Sequence, residues 1–196
     1  LIVKPSLVSE AKSIFKDTGI NITSNGKKHL GASIGSQSYK IEYVENKVSN
    51  WVEEIMNLAN IAKNDLHAAY ACFIHGLRHR YTYICRTIPN ISHLMQPLED
   101  AIHRYLIPSL TNGHMCNDTE RKLLALPAKY GGLGLINIMD ITNSEYSNSN
   151  SITQSLQNDI INQKRYYANN HREILSIKNK IKTKRKKNTI LTHLMT

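Results

Sequence analysis

Between Tyr39 and Arg86 apolar residues recur at helical spacing. Ile41, Val44, Val48, Trp51, Ile55, Leu58 and Ala62 follow one another in alternating steps of three and four. That rhythm places all of them on a single stripe of one long α-helix. Glu42, Glu45, Lys47, Glu53 and Glu54 fall off the stripe and read as its wet face. After Asn64-Asp65 a second periodic segment carries Ala68, Ala69, Cys72, Phe73 and Leu77, then turns basic and aromatic at Arg78, His79, Arg80, Tyr81, Tyr83 and Arg86. Two helices joined by a short polar break are expected to pack as antiparallel neighbours, and this pair is expected to form the centre of the core.

The flanking elements follow from shorter signals. Leu1-Ile2-Val3, ended by Pro5, predicts a strand. Ser6 or Ser9 would cap a short helix carrying Leu7, Ala11, Ile14 and Phe15, closed by Gly19. Ile20 to Thr23 reads as a strand, Asn25-Gly26 as a hairpin turn, and His29 to Ile34 as the return strand. Gly31 and Gly35 mark a bulge or a close backbone approach. Ser36 or Ser38 would cap the long helix. Downstream, Leu94, Leu98, Ile102 and Leu106 predict a helix from Ser92 to Ile107, with Pro97 as a kink or fresh start and Pro108 as its stop. Asn117 with Glu120, or Asp118, opens a short helix through Leu126 that Pro127 ends. Gly131-Gly132-Leu133-Gly134-Leu135 reads as a turn followed by an apolar step. Thr142 to Ser155 is rich in Asn and Ser, as a linker or weak helix would be. Ile152, Leu156 and Ile160 favour a helix in its second half.

Charge changes this picture at one end. Residues 1–163 hold 15 Lys/Arg against 14 Asp/Glu, whereas residues 164–196 hold 10 against the single Glu173. Nearly all of the net +10 therefore lies in the last sixth of the 196-residue chain. A like-charge block of this kind reads as a solvated or disordered tail, or as an arm for nucleic acid. The length suits one domain with or without a tail. No run of 18 apolar residues occurs, so no membrane span is expected. The opening Leu-Ile-Val-Lys-Pro has no signal-peptide pattern and reads as a cut made within a strand, hence as a fragment. Cys72, Cys85 and Cys116 form no even framework, so reduced thiols in a cytosolic or nuclear setting are expected. Three Asn-x-Ser/Thr triplets read as chance in an Asn-rich chain.

Candidate chemistry is sparse. Metal-dependent phosphoryl chemistry needs carboxylates placed to hold Mg²⁺. The adjacent acids, Glu53-Glu54 and Glu99-Asp100, lie in predicted helices where neighbours point about 100° apart, and read as solvated faces. Gly131-Gly132-Leu133-Gly134 lacks the Lys-Ser/Thr of a phosphate loop. Cys72, His75 and His79 share one helical face that a zinc ion could use with Cys116 or His114. A buried Cys beside two polar helix residues is the plainer reading. The Arg78–Arg86 segment mixes cations with aromatic rings, as in surfaces that track phosphates and stack bases. Equally, Tyr81 and Tyr83 would be core, with the Arg heads reaching water. Lys182-Thr183-Lys184-Arg185-Lys186-Lys187 reads as a nuclear signal, a nucleic-acid arm or a solubilising run.

Several stretches, taken in order, form a recognisable set. They are Leu1-Ile2-Val3-Lys4, Asn21-Ile22-Thr23, His29-Leu30-Gly31-Ala32 with Ile34-Gly35, and Lys47-Val48 with Trp51. His67-Ala68-Ala69-Tyr70, Arg86-Thr87-Ile88-Pro89, and Leu124-Ala125-Leu126-Pro127 leading into Gly131-Gly132-Leu133-Gly134-Leu135 complete it. The set resembles the part downstream of the catalytic centre in retrotransposon-type reverse transcriptases (RNA-directed DNA polymerases) of animal genomes. It spans about residues 1 to 165.

The helical periodicity gives a mainly α fold, and the resemblance implies its parts. Residues 1–35 would be a small α+β palm end with short strands and a hairpin, and 36–140 a helical thumb-like domain. Residues 141–165 would be the linker or weak helix, and 166–196 the basic tail. His29 and Gly31 would sit in the hairpin where palm meets thumb, the place that holds the primer end in this family. A template–primer partner, an RNA–DNA or DNA duplex, is implied, with an upstream palm in the intact protein. Expected nucleic-acid contacts are His29, Gly31, Arg78, Arg80, Tyr81, Arg86, Lys184, Arg185, Lys186 and Lys187. The family's Tyr-x-Asp-Asp is absent from this sequence. No catalytic residue and no cofactor is therefore assigned, Mg²⁺ being expected only in the missing catalytic part. The alternatives are a free-standing helical nucleic-acid-binding or interaction protein derived from such an element and, more remotely, a metal-dependent enzyme using the Cys/His face.

Overall fold

In the computed structural model, residues 1–164 and 168–195 are described. The chain is mainly α, 72% helical, with a two-stranded antiparallel sheet near its N-terminus. After a short helix α1 (Val8–Ile14) come β1 (Gly26–His29) and β2 (Ala32–Gly35), then α2 (Gln37–Ala62). Helix α3 (Leu66–Cys72) passes through a wide π turn, Phe73–Leu77, into α4 (Arg78–Thr87). A second π turn, Ile102–Leu106, joins α5 (Gln96–Ala101) to α6 (Ile107–Leu110). Helices α7 (Asp118–Ala125), α8 (Ile138–Ile161) and α9 (Ala168–Met195) complete the order. No described helix is long and apolar enough to cross a membrane.

The long helix forms as its stripe requires. Val44, Val48, Trp51, Ile55, Leu58 and Ala62 are buried, while Ile41, at the end nearest the hairpin, is only half-buried. Ser36 caps the helix, its Oγ accepting from the Tyr39 N–H at 3.2 Å. The α3–α4 rod runs antiparallel to α2, since Tyr81 meets Trp51 and Arg80 reaches Glu54. Its buried residues Ala69, Phe73, Leu77 and Tyr81 are four apart. Three such steps turn an ordinary helix by about 120° away from its partner. The π turn absorbs the excess and keeps all four facing α2. The second π turn likewise lets Leu106 and Ile107 both reach the core. It also admits Pro108 to the first turn of α6, so that proline does not stop the helix, contrary to expectation. Pro97 is a fresh start, in the first turn of α5.

The N-terminal piece departs from the expected one. Leu1–Val3 and the 20–23 stretch do not form strands: they meet at one isolated parallel bridge, Ile2 with Thr23, and at a hydrogen bond from the Leu1 amino group to the Asn21 carbonyl. Neither Ser6 nor Ser9 caps α1, whose N-cap position is Leu7. The hairpin turn is Leu30-Gly31, with φ of +47° and +84°, not Asn25-Gly26. Gly26 instead pairs with Gly35 across the two strands. A Cβ on Gly26 would collide with the Tyr39 ring, and one on Gly35 with the Asn25 carbonyl. These glycines serve close approach, and the reversal falls on the next left-handed pair.

The short helix α7 is built as its sequence implies, with the reciprocal Asn117–Glu120 capping box. His114 Nε2 lies 3.0 Å from the Glu120 carboxylate. The Asn117 N–H and, after it, His114 hold that carboxyl below its usual range. The glycine turn then folds back on α7, with the Leu133 and Leu135 N–H groups both donating to the Leu124 carbonyl. Gly132 is required there because a Cβ would strike the Leu126 carbonyl. Gly132→Ala is expected to cost about 1–3 kcal/mol in a urea titration. A loss below about 0.5 kcal/mol would mean that the turn relaxes freely.

Glu99 is not on a solvated face. It is buried against Arg121 of α7, whose Nε donates to Glu99 Oε1 at 2.7 Å and whose Nη1 donates to the Leu135 carbonyl. Glu99 Oε2 also accepts the Ile138 N–H at the start of α8. One carboxylate therefore ties α5, α7, the glycine turn and α8 together.

The stretch expected as linker or weak helix is helical through Ile161. The expected boundary at 165/166 lies outside the described residues. The basic segment from Ala168 onward is a helix, not a disordered tail. It returns along α8, with half-buried Ile174, Ile177 and Ile181 on one stripe.

Candidate functional site

The exposed hairpin is the most sharply defined surface feature. Lys27, Lys28 and His29 are exposed along β1, and Leu30 at the tip is 83% exposed. Leu30 also holds a positive φ, which costs a non-glycine residue on the order of 1 kcal/mol. Two tyrosines pin this turn to the helical bundle. The Tyr83 hydroxyl of α4 donates to the Leu30 carbonyl at 2.6 Å, and the Tyr43 hydroxyl of α2 donates to the Gly31 carbonyl at 2.6 Å. Burial, aided by the neighbouring Tyr83 and Tyr39, raises the Tyr43 pKa and keeps that hydroxyl protonated as a donor. The turn is thus held at both of its residues while the Leu30 side chain faces solvent.

The arginines of α4 are less free than their sequence suggests. Arg78 donates to the Gly134 carbonyl at 3.3 Å. Arg80 pairs with Glu54 at 2.5 Å on an exposed surface, an interaction worth about 0.2–1 kcal/mol. Arg86 Nε donates to Glu145 Oε2 at 2.7 Å. Tyr81, expected as a nucleic-acid contact, is corrected to core: it is 1% exposed between Trp51 and Phe73, so its ring has no open face for a base. Burial raises its pKa strongly, against the lowering effect of the nearby Arg78.

On α9, Lys184, Lys186 and Lys187 are exposed, whereas Arg185 turns toward α8 and reaches Glu145 Oε1 at 2.6 Å. Glu145, which sequence reading missed, thereby holds Arg86 with one oxygen and Arg185 with the other. A signal was present: Glu145 is the lone acid between Thr142 and Ser155. Tyr43 was missed too, because nothing in its local pattern names a backbone carbonyl as its partner.

The Cys/His face does not assemble. Cys72, His75 and His79 are exposed, and no group of three or more metal-ligating side chains comes together among the described residues. Cys85 is buried beside Thr142, and burial pushes its thiol up to about 11, which leaves it protonated and unreactive at neutral pH.

The structure therefore ties the turn between His29 and Ala32 to α4 through the Tyr83–Leu30 bond and to α2 through the Tyr43–Gly31 bond, and it joins Arg86 and Arg185 through Glu145. No protein-family model, no curated protein and no solved structure matches this chain.

Proposed function

We propose that the chain is the palm-end and thumb portion of a retroelement reverse transcriptase and that it contacts a template–primer duplex. The observation that supports this reading best is the pinned hairpin. A rigid tip with exposed cations and an exposed apolar side chain suits a backbone contact that must hold a strand in register. Stretches that carry the resemblance are also joined in space. The Tyr70 hydroxyl donates to the Leu133 carbonyl at 2.6 Å, linking His67–Tyr70 to the glycine turn. The basic helix α9 lends itself equally to the alternative, a helical nucleic-acid-binding protein derived from such an element.

The test is a fluorescence-anisotropy titration of the whole chain against a labelled RNA–DNA hybrid, a DNA duplex and single strands of equal length. The expected result is tighter binding to the hybrid or duplex than to single strands. Lys27→Ala with Lys28→Ala should weaken hybrid binding about tenfold and lower the log–log salt slope by about two. With Mg²⁺ and nucleotides, no extension of a primed template is expected, because the sequence lacks Tyr-x-Asp-Asp. A chain that binds none of these probes overturns the duplex-contact reading. A preference for single strands favours the alternative.

A further inference from the structure

The cleft between α8 and α9 collects charge in an unusual ratio. Arg86, Lys178, Lys182 and Arg185 line it together with one carboxylate, Glu145. Both oxygens of Glu145 are already engaged by the two arginines. Each guanidinium offers five N–H donors, and neither makes another hydrogen bond among the described residues. Both arginine side chains remain 50% exposed, while Glu145 is 9% exposed beneath them. Lys178 and Lys182 have no ion-pair partner among the described residues. They lie one helical turn apart, about 6 Å along α9. Asn148 of α8 adds a neutral polar group to the lining.

Like charges gathered in a concave surface raise the local positive potential and favour an anion there. The arrangement suits a phosphate in particular. A guanidinium presents paired donors to two oxygens of one phosphate, and an ammonium acts as a point charge on the next. Glu145 supplies the orientation, since it fixes both arginines from below and leaves their outer donors uncommitted. A repeating anion fits better than an isolated one. Beyond the cleft α9 continues with Lys184, Lys186 and Lys187, and on α4 Arg86 lies three residues from Tyr83, which holds the hairpin. Residues three apart are neighbours on a helix surface, so the hairpin tip and the cleft open from adjoining positions on one helix.

We infer that the α8–α9 cleft is a binding site for the phosphodiester backbone of a polynucleotide, built by Arg86, Arg185, Lys178 and Lys182 on a Glu145 pivot. This inference rests on the nucleic-acid partner proposed above. It adds Lys178 and the Glu145 pivot, neither of which the sequence marks as a nucleic-acid contact, and gives Lys182 a defined partner surface.

The test compares two double variants of the whole chain with equal loss of charge. Lys178→Ala with Lys182→Ala removes the cleft lysines. Arg172→Ala with Lys180→Ala removes two cations from the other side of α9, away from the cleft. Binding to the labelled RNA–DNA hybrid is followed by anisotropy at several salt concentrations, and folding is checked by circular dichroism. The cleft variant should lose about tenfold in affinity and lower the salt slope by about two, while the comparison variant loses about threefold or less. Lys178→Arg with Lys182→Arg should restore affinity to within about twofold, since the charge returns. Equal losses in the two alanine variants would overturn the cleft and leave a diffuse basic helix, with the duplex reading intact. If the parent chain binds no nucleic acid, both that reading and the cleft fall.

Discussion

Trp51→Ala is expected to lower stability by about 3–5 kcal/mol. Trp51 lies at the middle of α2, is 2% exposed, and meets Tyr81 edge-on at 6.3 Å between ring centroids. Removing the indole opens a cavity where α2, the α3–α4 rod and the α5–α6 segment share one core. Among the described residues its Nε1 has no hydrogen-bond partner, so Trp51→Phe should cost less, because it removes an unsatisfied donor together with part of the volume. Trp51 is the sole tryptophan, which makes the check direct. The parent chain should show blue-shifted emission that moves red on unfolding in urea. Emission like that of free tryptophan in water, with an unchanged urea midpoint in the alanine variant, would show that α2 does not pack as described.

The second large effect is expected at Glu99. Glu99→Ala leaves Arg121, whose side chain is 8% exposed, without its counter-charge. Stranding a buried charge in this way costs about 3–5 kcal/mol. It also frees the Ile138 N–H at the start of α8. Glu99→Ala combined with Arg121→Met should recover part of the loss, because no uncompensated charge then remains. Urea midpoints of the two single variants and the double variant measure the coupling. Additive losses would mean that Glu99 and Arg121 act independently and that the hub has no energetic content.

Glu145 and Glu99 stand in the sequence as plain acids on helical stretches, with no local sign of their roles. Each takes its role from a distant arginine: Arg121 is 22 residues from Glu99, and Arg86 and Arg185 are 59 and 40 residues from Glu145. The same holds for the hairpin. Asn25-Gly26 is a sound local turn signal, but Gly26 lies under the Tyr39 ring and across from Gly35, and those neighbours move the reversal to Leu30-Gly31. The Arg78–Arg86 segment looked like a free basic surface because its acceptors, Glu54, Gly134 and Glu145, are remote in sequence.

By itself the sequence determined the features whose cause lies within a turn or two of chain. The stripe of α2, its Ser36 cap, the Asn117–Glu120 box and the mainly α class are all of this kind, because helix periodicity and capping act between residues three or four apart. Tertiary structure alone decided the two π turns, since they correct the rod's rotation against a partner helix. It also decided the burial of Glu99 and Tyr81 and the return of α9 along α8. In α9 the half-buried Ile174, Ile177 and Ile181 lie among the cations of the basic segment. A stripe that sparse describes a helix only once α8 is there to cover it, because burial against a neighbour, rather than propensity, supplies most of a helix's stability.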